Sequence, residues 1–195
     1  ELPTVPVIIE TPLGTIRADL YEDNAPGTVA NFLHYVDGGL FNGGNFHRTV
    51  TVANNSNANL KTEVADSGIA PVEDGAMPND EIVIEVIQGG IDPARTSEQL
   101  PAIALERTSD TGLRHTDGAL SMGRRTADSA VSEFFICIND QPELDFGGRR
   151  NVDGQGFAAF GAVTDGMDVV RAIQTSPASG QQLEPPITIT SIRRA

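Results

Sequence analysis

The chain has 195 residues, a formal net charge of −14, 39% hydrophobic and 5% aromatic residues, and no Trp. That length suits one compact domain spanning 1–195 rather than two, with an aliphatic core in which any cluster of Phe is informative. The acidity repels phosphate backbones and anionic lipid, and no apolar run approaches a membrane span, so neither nucleic-acid binding nor membrane insertion is expected.

Residues 6–10 and 15–21 flank Thr11-Pro12-Leu13-Gly14. The second run alternates Ile16, Ala18 and Leu20 against Arg17, Asp19 and Tyr21, so the pair reads as a β-hairpin. A helix follows: Asp23-Asn24-Ala25-Pro26 supplies cap-type residues and a proline fit for the first turn, and Val29, Phe32, Leu33 and Val36 make one apolar face. Gly38-Gly39 ends it. Residues 46–52 return to a strand pattern. Periodicity then fails, and residues 49–80 read as a long loop insertion with a short hairpin around 60–64. Residues 81–88 resume as a strand, with Ile82, Ile84, Val86 and Gln88 on one face and Val83, Glu85 and Ile87 on the other.

Short strands are expected at 103–106 and 119–122. The run Ser132-Glu133-Phe134-Phe135-Ile136-Cys137-Ile138 splits by period two into a core face, Phe134, Ile136 and Ile138, and a second face holding Glu133, Phe135 and Cys137. An aromatic beside a charge on that second face suggests a half-open apolar groove. Cys137, the only Cys, reads as a buried small hydrophobe. A helical turn at 142–144, a Gly- and Arg-rich loop at 146–156, a strand at 157–163, a helix at 166–173 and a strand at 187–192 complete the chain. Roughly eight strands and two helices, without a repeated βαβ rhythm, predict a mainly β fold: a closed antiparallel eight-stranded barrel with two flanking α-helices.

The usual chemistry-bearing motifs are weak. His34, His47 and His115 lie far apart, so no metal is expected. Asn151-Val152-Asp153-Gly154 lacks the ends of a calcium loop and reads as a turn. Neither a phosphate-cradling loop nor a nucleophile elbow is present. The pairs Arg124-Arg125 and Arg149-Arg150 suit ion pairing in so acidic a chain. The chain begins at Glu1 rather than Met, and an exported or periplasmic protein is expected, with a cytoplasmic one as the alternative.

An ordered set of motifs remains: Phe46-His47-Arg48, Gln88-Gly89-Gly90, Leu120-Ser121-Met122, Phe134-Phe135-Ile136, and Phe160-Gly161-Ala162-Val163 with Gly166-Met167. In this order they resemble the cyclophilins, the peptidyl-prolyl cis-trans isomerases, from about residue 7 to residue 192, and 140–161 is similar to bacterial members. The resemblance implies catalysis of Xaa–Pro rotation by Arg48, Gln88 and Phe135. Arg48 would donate to the carbonyl oxygen of the proline residue, Gln88 would hold the substrate backbone and orient Arg48, and Phe135 would floor a proline pocket. Phe46, His47, Val86, Gly123, Arg124, Glu133, Leu144 and Phe157 would complete the substrate site. No cofactor is needed, and the expected partners are proline-containing peptides or unfolded protein clients met by a monomer.

Several positions depart from the family's pattern. Glu85-Val86 replaces a Phe-Met pair, Gly123-Arg124 an Ala-Asn pair, Glu133 a Gln, Glu143 a Trp, and Phe157 a His. An isomerase of reduced or narrowed activity is therefore expected; a non-catalytic proline-peptide binding or chaperone-like adaptor module is the alternative.

Overall fold

A computed structural model describes residues 3–55, 79 and 81–195. The fold is mainly β. Among the described residues, ten antiparallel strands form one sheet: β1 (Val5–Thr11), β2 (Gly14–Leu20), β3 (Asn45–Val50), β4 (Val86–Gly90), β5 (Ala119–Met122), β6 (Phe134–Cys137), β7 (Ala159–Asp165), β8 (Ala178–Ser179), β9 (Gln182–Thr188) and β10 (Ser191–Arg194). Their spatial order is β10-β1-β2-β7-β5-β6-β4-β3-β9-β8. Helices α1 (Pro26–Asp37), α2 (Thr108–Thr111, a single turn) and α3 (Met167–Gln174) accompany them, with 3-10 turns at Pro93–Glu98 and Pro142–Leu144.

The expected closed eight-stranded barrel is thus corrected to a ten-stranded sheet with β10 and β8 at its ends. The difference lies mostly at the C-terminus. The strand expected at 187–192 divides at Ile189-Thr190, where Ile189 bonds Gly43 and Gly44 while the Thr190 N–H donates to Glu10. One run of chain therefore borders β3 with its first part and β1 with its second. The strand expected at 103–106 is only a bridge between Ile103 and Ala130. Pairing of β4 starts at Val86 rather than 81, and Thr49 and Val50 belong to β3, so the excursion begins later than its expected start at 49. The hairpin expected around 60–64 lies outside the described residues.

Where the excursion leaves and rejoins the sheet, one buried cation holds both sides. Arg150 is 2% exposed, and its Nη1 donates to Asn55 Oδ1, the Asn79 carbonyl and the Ile82 carbonyl at 3.0, 3.2 and 2.8 Å.

Alternation along β6 separates two apolar clusters. Phe134, Ile136 and Ile138 enter the main core with α1, where the Phe32 ring lies 5.0, 5.4 and 5.1 Å from those of Phe41, Phe134 and Phe160. Phe135 and Cys137 face the other way and join Val50, Ile84, Val86, Ala119, Leu144 and Phe157 in a second cluster. Burial pushes the Cys137 thiol well above its usual range, in keeping with a packing role.

Beneath Phe135 lies a buried polar chain. His115 stacks on the Phe135 ring at 6.0 Å, and its two ring nitrogens bond Asp145 Oδ1 at 2.7 Å and Ser121 Oγ at 2.8 Å. Burial alone would raise the Asp145 carboxyl. The hydrogen bonds from the His115 side chain and backbone, with the charges of His115 and Arg114, outweigh it and hold the group below the ordinary carboxylate range.

Helix α1 is capped from a distance. Asp23 and Asn24 do not cap it: Ala25 stands at the N-cap, and the Glu106 carboxylate instead accepts from the Gly27 N–H, the Thr28 N–H and the Thr28 hydroxyl at 3.3, 2.6 and 2.6 Å. A carboxylate suits the positive end of the helix dipole. Glu106→Ala is expected to lower stability by about 1 kcal/mol, measured by urea unfolding. Asp145 sets an acid limit as well. A carboxyl depressed in the folded state adds stability above its unfolded pKa and loses it as pH falls through the folded value. Unfolding midpoints should therefore fall on acidification below about pH 4, and Asp145→Asn should be less stable at neutral pH with a flatter acid response.

Candidate active site

Three neighbouring strands set Arg48, Gln88 and Phe135 side by side, because Arg48 of β3 pairs with Gln88 of β4 and Gln88 pairs with Phe135 of β6. Simple alternation along β3 would place Arg48 on the same face as Phe46, which is buried in the main core against Phe134 at 5.7 Å. A bulge between Phe46 and Arg48 shifts the register against both β4 and β9. It turns the outward row over, so that Arg48 lies with Val50 on the side of the second cluster. His47 occupies the bulge and also reaches this side.

Two neutral amides hold the guanidinium. Arg48 Nη1 donates to Gln88 Oε1 at 2.8 Å, while Nε and Nη2 both donate to Gln181 Oε1 at 3.0 and 2.9 Å. Glu133 stands one step further out. Its carboxylate bonds His47 Nε2 and receives Gln88 Nε2 at 3.4 Å, with His47 and Glu133 side chains 38% and 39% exposed. Glu133 is thus linked to Arg48 by way of Gln88. The carboxylate fills space that only glycine leaves open: a Cβ on Gly90 would lie 1.8 Å from Glu133 Oε2. Gly123 lies on the other side of the same pair, its N–H donating to the Glu133 carbonyl at 2.9 Å.

The apolar part of the site is the second cluster. Phe135 and Phe157 meet edge to face at 5.6 Å, and Leu144 and Val86 complete the wall. Arg124 supports this wall from behind. Its side chain is 1% exposed, its guanidinium lies 4.9 Å over the Phe157 ring, and it donates to both Asp153 oxygens and to the Gly156 carbonyl. Burial would raise the Asp153 carboxyl, but the bonds from Arg124 and the Gln155 N–H, with the charges of Arg124 and Arg107, bring it below its ordinary value. Asp153 belongs to a turn closed by Gly154 N–H to the Asn151 carbonyl.

The structure therefore brings together Arg48, Gln88, Phe135, His47, Val86, Gly123, Glu133, Leu144 and Phe157. Phe46 lies on the far side of the sheet, and Arg124 meets the site through Phe157. Sequence reasoning missed Gln181, which stands far along the chain from Arg48 and whose only signal was a polar Gly-Gln-Gln tip before the last strands.

The family model for cyclophilin type peptidyl-prolyl cis-trans isomerase/CLD matches residues 6–194. Peptidyl-prolyl cis-trans isomerase of Acinetobacter baylyi is 32% identical over 174 residues, 89% of this chain and 73% of that protein. Peptidyl-prolyl cis-trans isomerase A of Dickeya dadantii is 31% identical over 193 residues, covering 96% of this chain and 83% of that one. Among solved structures, a Cryptosporidium parvum cyclophilin type peptidyl-prolyl cis-trans isomerase superposes with a TM-score of 0.69 at 20% identity, covering 99% of this chain and 98% of its own. A second structure of that protein, in the presence of the dipeptide Ala-Pro, gives a TM-score of 0.67. With its mainly β fold and with nearly its whole length matched, the chain belongs to the cyclophilin-type peptidyl-prolyl cis-trans isomerases.

Proposed function

We propose that this isomerase accelerates Xaa–Pro rotation by seating the proline ring against Phe135, Leu144, Phe157 and Val86 while Arg48 donates to the substrate amide. Rotation is opposed by a barrier of about 18–20 kcal/mol, because twisting removes amide resonance. No covalent bond has to break, so what the site must do is bind the twisted amide more tightly than either planar isomer. An apolar wall grips the ring, and a fixed cation meets the polar groups whose charge distribution changes as resonance is lost. The observation that carries this reading is the guanidinium held at the border of an apolar cluster by two amides. The Ala-Pro dipeptide used with the related Cryptosporidium parvum protein supports proline-containing peptides as ligands.

In this reading residues 1–195 act as one domain and as a monomer on proline-containing peptides or unfolded clients, with the stretch after Val50 as an insertion. Activity is narrowed by the carboxylate of Glu133, which draws on the same Gln88 that steadies Arg48.

Substitution at Arg48 is the cleaner test, because removing a buried ring such as Phe135 would cost about 3–5 kcal/mol of stability and confuse folding with catalysis. Arg48→Ala should lower kcat/KM about 100-fold in an NMR exchange or protease-coupled assay on Xaa-Pro peptides; equal rates would remove the mechanism, and peptide binding without faster exchange in the unaltered protein would favour an adaptor. Glu133→Gln should raise kcat/KM about two- to five-fold, the scale of removing one half-exposed charge near a cation.

A further inference from the structure

We infer that Gln181 is a positioning residue for Arg48, holding the guanidinium in its working plane without neutralising it. This inference rests on the role proposed for Arg48. Gln181 sits in the tight turn between β8 and β9, where Ser179 pairs with Gln182 and Gly180 supplies a φ of 59°. The turn delivers the side chain to the Arg48 edge of β3, and the Thr49 N–H donates to the Gln181 carbonyl at 2.8 Å. The residue is 5% exposed.

The orientation of the amide is fixed at both ends. Nε2 donates to the Asn54 carbonyl at 3.0 Å, which leaves Oε1 to face the guanidinium. That oxygen accepts from Nε and Nη2 on one edge of Arg48, and Gln88 accepts from Nη1 on the other side. Bonds at Nε and both Nη atoms define the plane of the group as well as its position. A carboxylate at 181 would offer the same fork and bind the cation more strongly, but it would put a full negative charge beside the donor. The amide keeps the geometry and leaves the positive charge directed at substrate. Glu133, which does carry a charge, is separated from Arg48 by Gln88 and shared with His47.

The test is a double-mutant cycle on the full chain, using an Ala-Pro-containing peptide as probe. Catalysed exchange and peptide affinity are measured by NMR, together with the Arg48 Nε–Hε cross-peak and a thermal melt. Gln181→Ala should slow exchange about ten-fold, the size of one hydrogen bond to a charged group, with peptide affinity within about two-fold. Its Arg48 cross-peak should move towards the position of a solvated arginine. In an Arg48→Ala background the same change should have no further effect. Gln181→Glu should keep the cross-peak shifted from the solvated position yet slow exchange at least as much as Gln181→Ala, and it serves if the alanine variant fails to fold. Unchanged exchange in Gln181→Ala, an equal loss without Arg48, or a Gln181→Glu protein as fast as the unaltered one would each overturn the inference. An Arg48→Ala protein at full speed would overturn the underlying mechanism with it, whereas a slow Arg48→Ala beside a fast Gln181→Ala overturns the role of Gln181 alone.

Discussion

One extra residue in β3 decides which side of the sheet becomes chemical. Strand side chains alternate strictly, so a guanidinium two positions after the core residue Phe46 would otherwise enter an apolar interior at prohibitive desolvation cost. The bulge at His47 changes the parity. Before it, β3 gives Phe46 to the main core; after it, Arg48 and Val50 lie on the opposite side, in one row with Gln88 and Phe135 and in the next with Val86 and Cys137. The pairing register of β4 and β6 then carries this alignment across the sheet.

In so acidic a chain, the charges around the site are arranged in a particular way. Among the described residues, the Arg48 guanidinium is held by the amides of Gln88 and Gln181, and the Glu133 carboxylate is tied to His47 and to the far end of Gln88. The other cation, Arg124, is buried with a bidentate carboxylate partner, the arrangement in which an interior charge is tolerable. Its planar face supports Phe157. Arg124 and Phe157, two of the positions at which the sequence reading expects a departure from the family pattern, meet in the structure as one stacked pair.

Much of this was legible in the sequence where a pattern is local. Period two along 132–138 separated Phe134, Ile136 and Ile138 from Phe135 and Cys137, and each set entered its own cluster. The apolar face of α1 was equally plain, with Val29, Phe32, Leu33 and Val36 all buried. What could not be read depends on interruption or distance. Alternation assumes an unbroken strand, so it misses the bulge at His47 and the break at Ile189-Thr190. The contacts of Gln181 with Arg48 and of Glu106 with α1 join residues 133 and 79 positions apart, and no local propensity signals them.

The buried Arg150 has a consequence for how the chain between β3 and β4 can change. By bonding Asn55 on one side and Asn79 and Ile82 on the other, it ties the two stems to one another. The closure entropy of a joining segment grows only logarithmically, about 0.6 kcal/mol for each doubling of its length. With the stems tied in this way, doubling the length of chain that joins them costs less in closure entropy than one core methylene contributes by its burial, about 0.8 kcal/mol.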